Sequence, residues 1–130
     1  MIMVDKRQAG LDVAAEMLSP EIAKALEGAA TSPEFGALLG ELAVRNVFGE
    51  LWARPGLDRR SRSLVTLGIL IALRATDELQ CHVVAAIRNG LTAEEVAEVI
   101  YHSSAYAGFP AANTARAAAV QVLQPRRSGD

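Results

Sequence analysis

Arg59-Arg60-Ser61-Arg62-Ser63-Leu64-Val65-Thr66-Leu67-Gly68-Ile69-Leu70-Ile71-Ala72-Leu73 is the stretch whose reading decides the fold. Its first turn is polar, and from Leu64 onward it is apolar almost all round. It shows no alternation of apolar and polar residues, so it reads as a helix rather than a half-exposed strand. It is also far shorter than the roughly 20 apolar residues that span a bilayer. A helix apolar on every side sits at the centre of a fold or of an assembly. A chain of 130 residues has little with which to surround it. The expectation is a homo-oligomer.

Helix signals punctuate the chain on either side. Ser19 precedes Pro20 and Glu21, and Ser32 precedes Pro33 and Glu34. A serine hydroxyl there caps free backbone N–H groups while proline takes the first turn. Asp58 is placed to cap the stretch quoted above. Asp77 with Gln80 reads as a variant capping box, and Thr92 with Glu95 as a full one. Gly90 and Gly108 read as stops. The pattern predicts helices near 4–17, 20–29, 33–48, 59–74, 78–89 and 93–106, with a seventh at 110–123. The expected fold is all-α, a helical-hairpin bundle of six to seven helices. It forms a single domain over 1–123, followed by a loose tail over 124–130.

Composition narrows the function. The net charge is −2, from 13 basic and 15 acidic side chains, which gives no general attraction to nucleic acid or to anionic lipid. The lone cysteine, Cys81, makes neither an internal disulfide nor a cysteine-based zinc site, so no metal is expected. The start, MIMVDKRQAG, carries charge before any apolar run and does not read as a signal peptide. No membrane partner and a cytoplasmic location are the expectations.

Chemistry concentrates around the two histidines. Glu78 and His82 are an i,i+4 pair, as are His102 and Tyr106, so each pair shares a helical face. Glu78 and His82 sit on the flank of the apolar face made by Leu79, Val83 and Ala86. A neighbouring carboxylate orients an imidazole and raises its pKa, which suits general acid–base work near neutrality. The same spacing also fits a surface ion pair, and spacing does not choose between them. Arg62 reads either as a solvated side chain or as a clamp for a carboxylate. Cys81 points about 100° away from His82 and reads as a small hydrophobe.

These residues lie in three ordered elements: Phe48-Gly-Glu-Leu-Trp-Ala-Arg-Pro-Gly-Leu-Asp-Arg-Arg-Ser-Arg-Ser63, Glu78-Leu-Gln-Cys-His82, and Tyr101-His-Ser-Ser-Ala-Tyr-Ala-Gly-Phe-Pro-Ala-Ala-Asn113. Together they resemble the signatures of the carboxymuconolactone decarboxylase family, over about residues 35–122. The resemblance implies helical hairpins that assemble into dimers and often trimers of dimers, with active sites near subunit contacts. It implies cofactor-free conversion of 4-carboxymuconolactone, a small carboxylated lactone, to 3-oxoadipate enol-lactone with loss of CO2, in the protocatechuate branch of aromatic degradation. On that reading His82 donates the proton and is oriented by Glu78. Arg62 holds a substrate carboxylate, Tyr106 and His102 donate to substrate oxygens, and Phe109 lines the pocket.

Two positions depart from the family pattern. Asp77 stands where members often carry histidine, and Phe109 where the residue is usually smaller. The sister branch of thiol peroxidases carries a C-x-x-C pair, but here Glu78 and Val84 flank Cys81, so a dithiol cycle is not available. A related lyase or isomerase on another carboxylated ring, a thiol antioxidant using Cys81 alone, and a non-catalytic binding or assembly module are the competing readings.

Overall fold

A computed structural model describes residues 5–123; the expected tail at 124–130 lies outside the described residues. The described residues are helical, with no strand among them. The chain forms two compact units, one up to Asp58 and one from Arg59 onward.

The first unit holds α1 (Lys6–Met17), α2 (Pro20–Gly28) and a 3-10 turn (Ala29–Thr31). It continues with α3 (Leu38–Leu42), which widens without a break into a π-helix (Ala43–Trp52). Ser19 caps α2 as expected, its hydroxyl accepting from Ile22 N–H. The start expected at Ser32-Pro33 does not hold. Ser32 Oγ accepts from Glu34 N–H, but Gly36 has φ of +71°, a left-handed turn that ends any run begun at Pro33. The helix therefore starts at Leu38 and runs on to Trp52, past the expected end at 48.

α1 packs on the π-helix with the two backbones almost touching. A Cβ on Gly10 would lie 1.9 Å from the Val44 carbonyl oxygen, and one on Gly49 would lie 2.1 Å from that of Lys6. Only glycine permits this crossing, and it brings Val13, Ala14 and Met17 against Val44, Phe48 and Trp52, all buried. Glu41, itself buried, accepts through one oxygen from Arg7 Nε at 3.0 Å and Arg45 Nε at 2.9 Å.

The second unit is a four-helix bundle of α4 (Arg59–Leu73), α5 (Thr76–Arg88), α6 (Ala93–Ala107) and α7 (Phe109–Leu123). α4 packs beside α5 and α6, and α7 closes the ring against both. The core is Leu67, Ile71, Leu79, Val83, Val96 and Ile100 over an alanine floor from α7, including Ala111, Ala115 and Ala119. Small side chains along α7 let the helices approach closely, as the alanine-rich composition implies.

The turns are short. α4 ends on Arg74, a non-glycine residue at φ of +55°, with Ala75 N–H returning to the Leu70 carbonyl. α5 therefore begins at Thr76 with Ala75 as its cap, and Asp77 lies inside the first turn rather than forming the expected capping box with Gln80. The box of Thr92 and Glu95 is present in full. Gly108, at φ of +96° and ψ of 154°, is the single residue between α6 and α7. That conformation is open to glycine and strained for other residues.

α4 is not enclosed on all sides. Ser63, Leu67 and Ile71 are buried, while Val65, Ile69 and Leu73 stand more than half exposed along its outer face.

Candidate active site

The bond between Asn89 Nδ2 and Ser63 Oγ, at 3.0 Å, fixes which flank of α5 faces α4. His82 lies seven residues before Asn89, two helical turns away and within about 20° of its direction. His82 therefore faces the α4–α5 groove, and Glu78 stands one turn above it on the same flank. Gln80 points the other way, donating to the Ala118 carbonyl of α7. On α4 the residue beside Ser63 is Arg62, on the groove's outer flank. At 1.5 Å per residue, His82 stands about 10 Å up the groove from Ser63. Arg62 and the Glu78–His82 pair thus stand along the same α4–α5 seam, about two helical turns apart.

The electrostatics reverse the sequence expectation for His82. Burial pushes its pKa below the ordinary 6.5, and Glu78 only partly offsets this by favouring the charged form. Glu78 is exposed and its charge is screened by water, while the imidazole is largely desolvated. His82 is therefore neutral at pH 7 in the free protein. The Cys81 thiol is pushed upward, first by burial and then by Glu78 and Asp77, so it stays protonated.

The other expected residues lie elsewhere on the bundle. His102 is exposed and faces α4 from the opposite side, in a cleft of about 550 Å³ lined also by Arg60, Leu64, Gly68, Glu95, Glu98 and Ser103. The Arg60–Glu95 ion pair sets the height of α6 on α4. His102 follows Glu95 by seven residues, as His82 precedes Asn89 by seven. Both histidines consequently stand level with the third turn of α4, one on each flank, with exposed Ile69 between them. Tyr106 lies against His102 with ring centres 5.3 Å apart and is itself largely exposed. Phe109, also exposed, lines a separate cleft with Tyr101, Asn113 and Arg116. Neither these clefts nor two others on the described residues take Glu78 or His82 into their lining. The sequence reading passed over Arg116 and Tyr101; the available signal was an arginine in an apolar helix with no acid three or four residues away.

No group of three or more potential metal ligands occurs among the described residues, and no helix there is long and apolar enough to cross a membrane.

An all-helical fold with Glu78 and His82 one turn apart on a hairpin flank defines a class, and comparison with known proteins places the chain within it. The family model for the carboxymuconolactone decarboxylase family matches residues 33–121, and the chain belongs to that family. It is 40% identical over 116 residues to 4-carboxymuconolactone decarboxylase of Acinetobacter baylyi, covering 88% of this chain and 84% of that one. It is 46% identical over 70 residues to nitrosuccinic acid decarboxylase of Metarhizium robertsii, covering 54% of this chain and 49% of that one.

Proposed function

We propose that the chain is a carboxy-lyase that decarboxylates 4-carboxymuconolactone to 3-oxoadipate enol-lactone, as a step in the degradation of aromatic compounds. The observation that carries this reading is the 40% identity to the Acinetobacter decarboxylase over most of both chains. The substrate chemistry needs no added electron sink. The departing carboxylate sits on the ring carbon γ to the lactone carbonyl. When its C–C bond breaks, the electron pair spreads through the double bond onto the lactone's carbonyl oxygen as a dienolate. A proton on the α carbon then gives the enol-lactone.

The groove supplies what that sequence needs. Arg62 holds the carboxylate that the substrate keeps. His82 delivers the proton, positioned by Glu78. Because burial holds His82 neutral in the free protein, its proton arrives with the substrate: a dianion beside the ring favours imidazolium far more strongly than screened Glu78 does. His102 and Tyr106, at the same height across α4, donate to substrate oxygens once a second subunit covers the exposed stripe of Val65, Ile69 and Leu73. An apolar stripe of that kind, flanked by polar side chains, is the mark of a contact between chains. The working form is a cytoplasmic homo-oligomer.

A second reading keeps the reaction type and changes the substrate. 4-Carboxymuconolactone and nitrosuccinic acid are both dicarboxylates in which loss of one carboxylate leaves an electron pair that an oxygen acceptor can take. Asp77, one residue before Glu78, is the position where a different dicarboxylate would register, whereas Phe109 stands in the separate α6–α7 cleft. Protonated Cys81 speaks against the thiol antioxidant reading. Product analysis by NMR tests the proposal. Purified chain incubated with 4-carboxymuconolactone is expected to give CO2 and the enol-lactone. Turnover of nitrosuccinate with none of the lactone would replace the first reading by the second.

A further inference from the structure

The groove between α6 and α7 lies across the bundle from the α4–α5 groove and plays no part in the chemistry above. Two adjoining clefts, of about 280 and 300 Å³, share Ile100, Tyr101 and Arg116 as lining. α6 and α7 run antiparallel from the Gly108 turn, which sets Arg116 level with Ile100 and Tyr101. Its i±3 and i±4 neighbours are Ala112, Asn113, Ala119 and Val120, so its own helix offers no counter-ion. Among the described residues Arg116 makes no ion pair or hydrogen bond. Below it, Ala97 and Ala119 leave a low apolar floor between the helices, with Val120 and Leu123 further along. Tyr101, well exposed, stands at the side with an aromatic face and a hydroxyl.

A cation without a partner, over a flat apolar floor and beside a tyrosine, fits one kind of ligand. We propose that this groove binds a small aromatic monocarboxylate, its carboxylate on Arg116 and its ring over Ala97 and Ala119 against Tyr101. The fork of the guanidinium matches a carboxylate, and the alanines leave room for a planar ring but not for a bulky branched body. The groove carries a net positive charge, whereas the α4–α6 cleft, with Glu95 and Glu98 against Arg60, does not. An anion is therefore drawn to this side.

The test is titration of the full chain with benzoate, followed by amide NMR. Saturable shifts centred on residues 97, 101, 116 and 119 are expected. Arg116→Gln should weaken binding about two- to fivefold, the size of an exposed ion pair. His82→Ala should leave benzoate binding unchanged, which separates this groove from the decarboxylation site. The proposal would be overturned by no saturable binding to wild type, by equal affinity in Arg116→Gln, or by shifts confined to the Glu78–His82 flank. Amides of this groove that are unperturbed by benzoate and protected from hydrogen exchange would likewise overturn it, by showing that a second copy of the chain covers the groove.

Discussion

Adding one methyl group at Gly10 tests the packing of the first unit. An alanine Cβ there would lie 1.9 Å from the Val44 carbonyl oxygen, and ordinary contact begins near 3.4 Å. The difference, 3.4 less 1.9, means that α1 and the π-helix must part by about 1.5 Å. Neither partner is a side chain that can turn aside. Overpacking costs about 1–3 kcal/mol where side chains can shift, and a backbone clash belongs at the top of that range. Alanine returns about 1 kcal/mol of helix propensity, so the net loss expected for Gly10→Ala is about 2 kcal/mol. Gly68→Ala is the control: it sits inside α4, and a Cβ there meets nothing within 4 Å. It should gain up to about 1 kcal/mol, since the propensity term stands alone. Urea unfolding followed by fluorescence of buried Trp52, which lies in the π-helix, reads the first change locally. Protein concentration is held fixed, because association shifts apparent stability. A Gly10→Ala chain as stable as wild type would refute the close crossing.

Four further outcomes concern the site. Donation by His82 requires its charged form, whose pKa in the free protein lies below 6.5, so kcat/KM should fall as pH rises through that value. Glu78→Gln removes the carboxylate that raises this pKa, and should move the falling limb to lower pH; a limb that stays in place would show that Glu78 does not act on His82. Arg62→Gln should raise KM for the dicarboxylate with a smaller effect on kcat, since the lost contact is to a carboxylate that does not react; an unchanged KM in steady-state kinetics would remove Arg62 from the site. Cys81→Ser should keep activity within about twofold, because a thiol held protonated by burial supplies no nucleophile. A large loss would return the thiol to the mechanism.

Much of the second unit was legible because its signals are local. The Thr92–Glu95 box, the stop at Gly108 and the apolar run of α4 each act within a few residues of where they are read. The first unit was harder. Gly36 undoes the start that Ser32-Pro33 announces, and α1 meets the π-helix backbone to backbone at Gly10 and Gly49, a contact between residues far apart in the chain. The turn at Arg74 was hidden because an arginine occupies the left-handed position usually held by glycine. At the site, helical spacing placed Glu78 beside His82 on one flank. It could not weigh that carboxylate against burial, and the sign of the histidine's pKa shift depends on the whole bundle. Tyr101 and Arg116 come together only because the one-residue turn at Gly108 folds α7 back along α6.

The most direct measurement of the central claim is the steady-state rate of CO2 release from 4-carboxymuconolactone by wild type and by His82→Ala, with circular dichroism confirming the helical fold of both. General acid catalysis contributes about 10²- to 10⁴-fold. The account predicts a loss in that range for His82→Ala with helix content unchanged. A well-folded His82→Ala chain that turns over at close to the wild-type rate would contradict it.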